Sequence, residues 1–306
     1  MRFVRIFCLA GLMPSMLMAQ ARLVVRPAGE ARPGGPALPD IRQLLLEVPE
    51  HQKQLEKVRE NYTYSSLQTT QDIDANGQVK KTETVEGEDF FVNGHIIERT
   101  VKKNGQPLSP HEEQKETGRV TKLVEKAEKL PPDLPLEGQS IRVSRVLEIM
   151  DVRNPRRENY RGRPTIVFDF VGRKDARTHG LMEDASKKLQ GTVWIDEADR
   201  QVAHMEVSFN DNFRVAGGLL ATIQKGSSFR FDQEQVSHPN DKDPSSGTPV
   251  NGELWLPTGG EGTMVARVLM VKGLRQHFTE RDYDYKRFSV ATEQHKDAKV
   301  VPGKAK

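Results

Sequence analysis

The sequence predicts a mainly β protein with helices, an α+β fold in which one large curved antiparallel sheet carries helices on one face. Three observations lead there. Apolar and polar residues alternate with period two over many short runs from about residue 62 onward. Asn-Gly pairs recur at Asn76-Gly77, Asn93-Gly94 and Asn104-Gly105, and such pairs readily take the positive φ angles of tight hairpins. Most strand runs follow one another through short turns, which favours antiparallel neighbours over βαβ units.

The N-terminus comes first in chain order. Arg2 and Arg5 precede an apolar run from Ile6 to Met18, and Ala19-Gln20-Ala21 supplies a small-x-small pattern, so residues 1–21 read as a signal peptide cleaved after Ala21. A spanning helix needs about 20 apolar residues. This run is shorter and holds Pro14, so no stable membrane span is expected after cleavage. The single cysteine, Cys8, lies inside the run, which leaves the mature chain neither a thiol for lipid attachment nor a disulfide. A periplasmic location is expected, with stability drawn from core burial.

Charge excludes one class of function. The net charge of +3 falls to +1 once Arg2 and Arg5 are removed, and acids and bases interleave along the rest. A nucleic-acid binder clusters its bases on one face beside stacking aromatics, so no nucleic-acid partner is expected.

Residues 22–39, rich in Pro, Gly, Ala and Arg, read as a flexible lead-in, and the polar 291–306 segment as a disordered tail. A single β-rich domain is expected over 40–290. Asp40 is placed to cap a helix carrying Ile41, Leu44 and Leu45, which Pro49 is expected to break or restart before 51–59. An antiparallel meander follows over 61–103, with its strongest hairpin at Phe90-Phe91-Val92-Asn93-Gly94-His95-Ile96-Ile97. Ser109-Pro110-His111-Glu112 matches a capping box with proline at the first helical position, predicting a helix to Lys129 that ends at Pro131-Pro132. A second helix is expected over 175–189, with Leu181, Ala185 and Leu189 on one face. Strands are expected at 165–171, 191–195, 203–209, 219–224, 228–233, 253–256, 264–272 and 274–281, with Gly259-Gly260-Glu261-Gly262 as a turn between two of them.

Within this series, Gly191-Thr192-Val193-Trp194-Ile195-Asp196, the Ala198-Asp199-Arg200 turn and the strand to Phe209 resemble the LolA/LolB-like outer-membrane lipoprotein-sorting (lipoprotein carrier) family. Gly217-Gly218 to Gly226 and Asn251-Gly252-Glu253-Leu254-Trp255-Leu256-Pro257 look like that family's next hairpins. The resemblance covers roughly 160–290 and, more loosely, 61–103. It implies a half-open barrel whose apolar concave face holds acyl chains in the periplasm, without catalysis or cofactor. The chain departs from the smaller carriers in its long N-terminal region, the helix after Ser109 and the Asp241 to Gly247 loop.

Strand alternation puts Ile166, Phe168 and Phe170 on one face, and likewise Met205, Val207 and Phe209, with Phe229 and Phe231 on a later strand. These residues are candidates for an acyl-facing surface, and ordinary core beneath helices is the competing reading. Trp194 belongs to the same candidate set, and both it and Trp255 are amphipathic rings suited to a cavity rim.

Other chemistries find little support. The eight histidines form no His-x-x-x-His pair and no metal-ligand spacing with acids, although His204 and His277 could meet across the sheet. Ser227-Ser228 and Ser245-Ser246 lack a Gly-x-Ser-x-Gly turn, and Asp282 and Asp284 simply share a strand face at i, i+2. The expectation is a periplasmic carrier, not an enzyme, whose partners are lipid or lipoprotein acyl chains. The alternative is an envelope interaction or stress-sensing module with an envelope protein partner.

Overall fold

The computed structural model describes residues 37–132, 134, 136, 142–236, 254–270 and 272–287. The expected signal peptide, most of the lead-in, the Asp241 to Gly247 loop and the tail lie outside these residues.

Helix α1 (Ile41–Arg59) starts where Asp40 accepts the amides of Arg42 and Gln43 at 2.9 and 3.1 Å. It runs unbroken through Pro49, contrary to the expected break. The reason is tertiary: Leu44, Leu45 and Val48 before the proline and Gln52, Leu55 and Arg59 after it are all buried. That packing outweighs the missing N–H.

Strands β1 (Tyr62–Ile73), β2 (Val79–Val92) and β3 (His95–Lys103) form the expected meander. Asn93 and Gly94 both have positive φ, 49° and 76°, as a two-residue hairpin turn requires. After the short β4 (Gln106–Pro107), α2 (Pro110–Lys129) opens with the Ser109–Glu112 capping box in place. Its Val120, Leu123, Val124 and Ala127 pack with Phe90, Val92 and Ile97 of the hairpin.

Helix α3 (Val143–Ile149) and strand β5 (Met150–Tyr160) have no counterpart among the sequence expectations. Strand β5 is charged and carries Pro155, a composition that hides it from pattern reading and suits its place at one end of the sheet. Strand β6 (Arg163–Gly172) follows, then α4 (Gly180–Ser186), shorter than expected because Leu189 already begins β7 (Leu189–Asp196). The remaining strands are β8 (Val202–Phe209), β9 (Phe213–Val215), β10 (Ala221–Ile223), β11 (Ser228–Val236), β12 (Leu254–Val268) and β13 (Lys272–Arg287).

All 13 strands belong to one antiparallel sheet ordered β4-β3-β2-β1-β13-β12-β11-β8-β7-β6-β5, with β10 joining β12 and β9. The sheet does not close, since β4 and β5 stand at opposite ends of the order. The expected turn at Gly259-Gly260-Glu261-Gly262 instead lies inside β12. A Cβ on Gly259 would fall 2.3 Å from the Glu280 carbonyl oxygen, and one on Gly262 would fall 2.6 Å from that of Ser228. The glycines permit close approach of neighbouring strands rather than a reversal.

Candidate binding face

Strand register sorts the side chains into two faces. Phe170, Gly191, Val207, Phe229, Gly262 and Phe278 form one cross-strand row. Two residues along, Phe168, Val193, Met205, Phe231, Gly260 and Glu280 form the next. Both rows point to the inner face, where α1, α3 and α4 sit. Helix α2 lies apart from these, on the side of the β2–β3 hairpin that carries Phe90 and Ile97.

The candidate acyl-facing residues divide between a covered and an uncovered part of the sheet. Ile166, Phe168, Phe170, Met205, Val207 and Phe209 are none more than 9% exposed. They pack with Leu44, Leu45 and Val48 of α1, Val146 and Leu147 of α3, and Ala185 of α4. In this conformation that part of the inner face is filled by helix side chains. Phe229 sits half-buried at the margin of the cluster. Phe231 and Phe278, towards β12 and β13, are also half-buried. A Cβ built on Gly260, beside Phe231, would have only the Arg230 carbonyl oxygen within 4 Å. Space therefore opens above that glycine.

Beyond this apolar strip the inner face turns polar. Tyr64 and Tyr285 stack with ring centroids 4.8 Å apart, and the Tyr285 hydroxyl donates to the Pro257 carbonyl at 2.6 Å. Burial, reinforced by the charges of Glu280 and Asp89 and opposed by Arg59, pushes the Asp282 carboxyl up to about 8. Desolvation and the Glu98 charge raise Glu280 as well, and burial raises Tyr64 well above the usual phenol range. Arg59, at the end of α1, donates to the Trp255 carbonyl at 3.2–3.3 Å and to Gln233, while burial lowers its guanidinium. The sequence gives little sign of this band, because it depends on β1 pairing with β13 from the far end of the chain. The expected sharing of a face by Asp282 and Asp284 also fails. The β1–β13 register shifts beside Asp284, whose φ is 56°, and Asp284 is exposed while Asp282 is half-buried.

Trp194 points the other way. On the outer face it lies 4.8 Å from His204, whose ring also stacks on Tyr160 at 4.8 Å. The Tyr160 hydroxyl donates to Asp232 at 2.6 Å, and His204 Nδ1 lies 2.8 Å from the same carboxyl oxygen. Burial pushes Asp232 up, but the hydrogen bonds from His204 and Tyr160 outweigh it and hold the carboxyl below the usual range. His277 does not meet His204; it faces Glu261 at 3.4 Å. The other motif residues tie the strand ends. Asp196 accepts the amides of Ala198 and Asp199 at 3.0 and 2.9 Å and binds Arg163 at 2.6 Å. Trp255 donates to Asp199 at 3.0 Å.

A depression of about 380 Å³ opens over Thr192, Glu206, Arg230, Glu261 and His277. These side chains alternate with the inner rows, so it lies mainly on the outer face, and Arg230 and His277 both pair with Glu261 across it. Its charged lining is unsuited to an acyl chain. Among the described residues no cluster of three or more His, Cys, Asp or Glu could hold a metal, and no helix is long and apolar enough to cross a membrane.

No protein-family model and no curated protein matches the chain. Among solved structures, an outer membrane lipoprotein-sorting protein domain from Vibrio parahaemolyticus aligns at 12% identity and a TM-score of 0.34, covering 84% of this chain and 98% of that one. A DUF1329 family protein from Desulfovibrio piger aligns at 7% identity and a TM-score of 0.33, covering 83% and 97%.

Proposed function

We propose that residues 40–290 form a single exported, non-catalytic domain that binds the acyl chain of a lipid or lipoprotein in the periplasm, on the inner face of the half-barrel. The observation that carries this reading is the uncovered end of that face. Phe229 and Phe278, on either side of Gly262, and Phe231, beside Gly260, stay partly exposed, and the strip they form meets the buried cluster at Phe229. An acyl chain needs a dry apolar surface and no reacting group, which such a strip supplies. Ile166, Phe168, Phe170, Met205, Val207 and Phe209 would line a deeper extension that opens only if α1, α3 and α4 give way. Trp194, on the other face, is left out of the proposed contact surface.

The test is native mass spectrometry of the chain purified from its own envelope, followed by titration with a fluorescent fatty acyl probe. A bound mass of lipid size that the probe displaces is expected. A bare chain that takes up no probe would overturn the proposal. The filled part of the inner face favours a second reading, an envelope interaction or stress-sensing module. That reading leads if no lipid binds and a defined envelope protein does.

A further inference from the structure

Eight large apolar side chains stand out as exposed among the described residues, and four of them meet at one tip of the sheet. Leu219 and Leu220, in the β9–β10 connection, are 64% and 40% exposed; Leu269 and Met270, at the β12–β13 turn, are 63% and 59%. The Leu269 amide donates to the Leu220 carbonyl at 3.0 Å, so the two tips are one surface. Scattered single leucines on a surface need no explanation, but a contiguous group does.

Half of this group, with Ala216 nearby, is held at a backbone cost. Ala216, Leu269 and Met270 have φ of 50°, 48° and 63°, in the left-handed region where a side chain is disfavoured and where glycine would be at ease. Such strain marks a place where something other than stability constrains the sequence.

Charge distinguishes the candidate occupants. Residues 212–225 and 262–279 carry Arg214, Lys225, Arg267, Lys272 and Arg275 and no Asp or Glu. Arg214 and Arg267 both lie opposite Thr222 and so share a row, and Arg275 lies on the same face two residues along. All three arginines are exposed. A second copy docking the same patch on itself would set bases against bases. A bilayer with anionic headgroups meets both features at once, the apolar tip entering the acyl boundary and the bases lying against phosphates.

We infer that the Leu219–Leu220 and Leu269–Met270 tips form a docking surface for an anionic lipid bilayer. This goes beyond acyl binding on the inner face and does not require it.

The experiment is co-sedimentation of the full chain with vesicles of equal parts phosphatidylglycerol and phosphatidylethanolamine, compared with pure phosphatidylcholine. Binding to the anionic vesicles that weakens with added salt is expected. The triple variant Leu219→Ser/Leu269→Ser/Met270→Ser should lose about tenfold or more in partitioning, because affinity scales with buried apolar area. A Met270→Trp variant gives a second readout, since its emission should shift to the blue when vesicles are added. Equal binding to both lipids, an unaffected triple variant or an unshifted emission would overturn the inference. So would sedimentation showing a dimer that the triple variant dissolves. Acyl-probe binding by that variant should be unchanged, which separates failure of this surface from failure of the inner face.

Discussion

Asp282 shows how one residue can couple the inner face to pH. Its carboxyl is buried among Glu280, Asp89, Tyr64 and Tyr285, with Arg59 as the opposing charge, and titrates at about 8 rather than 3.8. A folded-state pKa above the unfolded one means that the fold keeps a proton the unfolded chain has already lost. Stability therefore falls as pH rises from about 4 to about 8 and is insensitive to this group outside that window. Asp282→Asn removes the ionisation but keeps the shape. The variant should melt higher than the parent at pH 8, by roughly 2–4 °C for each kcal/mol recovered in a domain of this size, and the gain should shrink towards pH 4. Paired thermal melts at the two pH values check the sign. A gain that is larger at pH 4 would mean that Asp282 is ionised and favourably paired in the fold.

At the scale of elements, much was legible wherever a local signal agreed with its tertiary surroundings. The Ser109–Glu112 box fixes the start of α2 by hydrogen bonds within four residues, and Asn93-Gly94 fixes the β2–β3 turn by its φ angles. Reading failed where neighbours distant in sequence decide the outcome. Pro49 is carried through α1 by buried residues on both sides, and the glycines of β12 serve close strand approach to Glu280 and Ser228. Strand β5, charged and terminal in the sheet, has no apolar alternation to reveal it. Of the candidate acyl-facing set, alternation correctly grouped residues within each strand, but only the register between strands separates Trp194 from the rest. The hairpin makes a direct test of the local signals. In Gly94→Val a branched side chain must adopt φ near 76°, and its Cβ would lie 3.0–3.3 Å from Glu60, Pro132 and Arg142. A loss on the order of 1–3 kcal/mol is expected in chemical denaturation. An unchanged midpoint would show that the turn does not constrain the β2–β3 pair.

For the whole molecule, the question is how a single sheet can be both core and the proposed binding surface. The inner face answers by position along the strand order. Under β5 to β8 it is sealed by α1, α3 and α4, and across β11 to β13 it lies partly open. Two substitutions of the same kind should therefore behave differently. Val207 is 3% exposed within the sealed cluster, so Val207→Glu buries a carboxylate among apolar side chains. That costs several kcal/mol, and cooperative melting should be lost. Phe231 lies on the same face two residues along the β8–β11 register, but is only half-buried and stands beside the space over Gly260. In Phe231→Glu the carboxylate can turn to water, so the fold should hold while binding of a fluorescent fatty acyl probe falls about tenfold or more, as charge replaces apolar contact. If Val207→Glu melts like the parent, water already reaches the sealed part and the helices are not a permanent plug. If Phe231→Glu folds and binds the probe undiminished, the open strip is not where an acyl chain lies, and the proposed carrier function loses the observation it stands on.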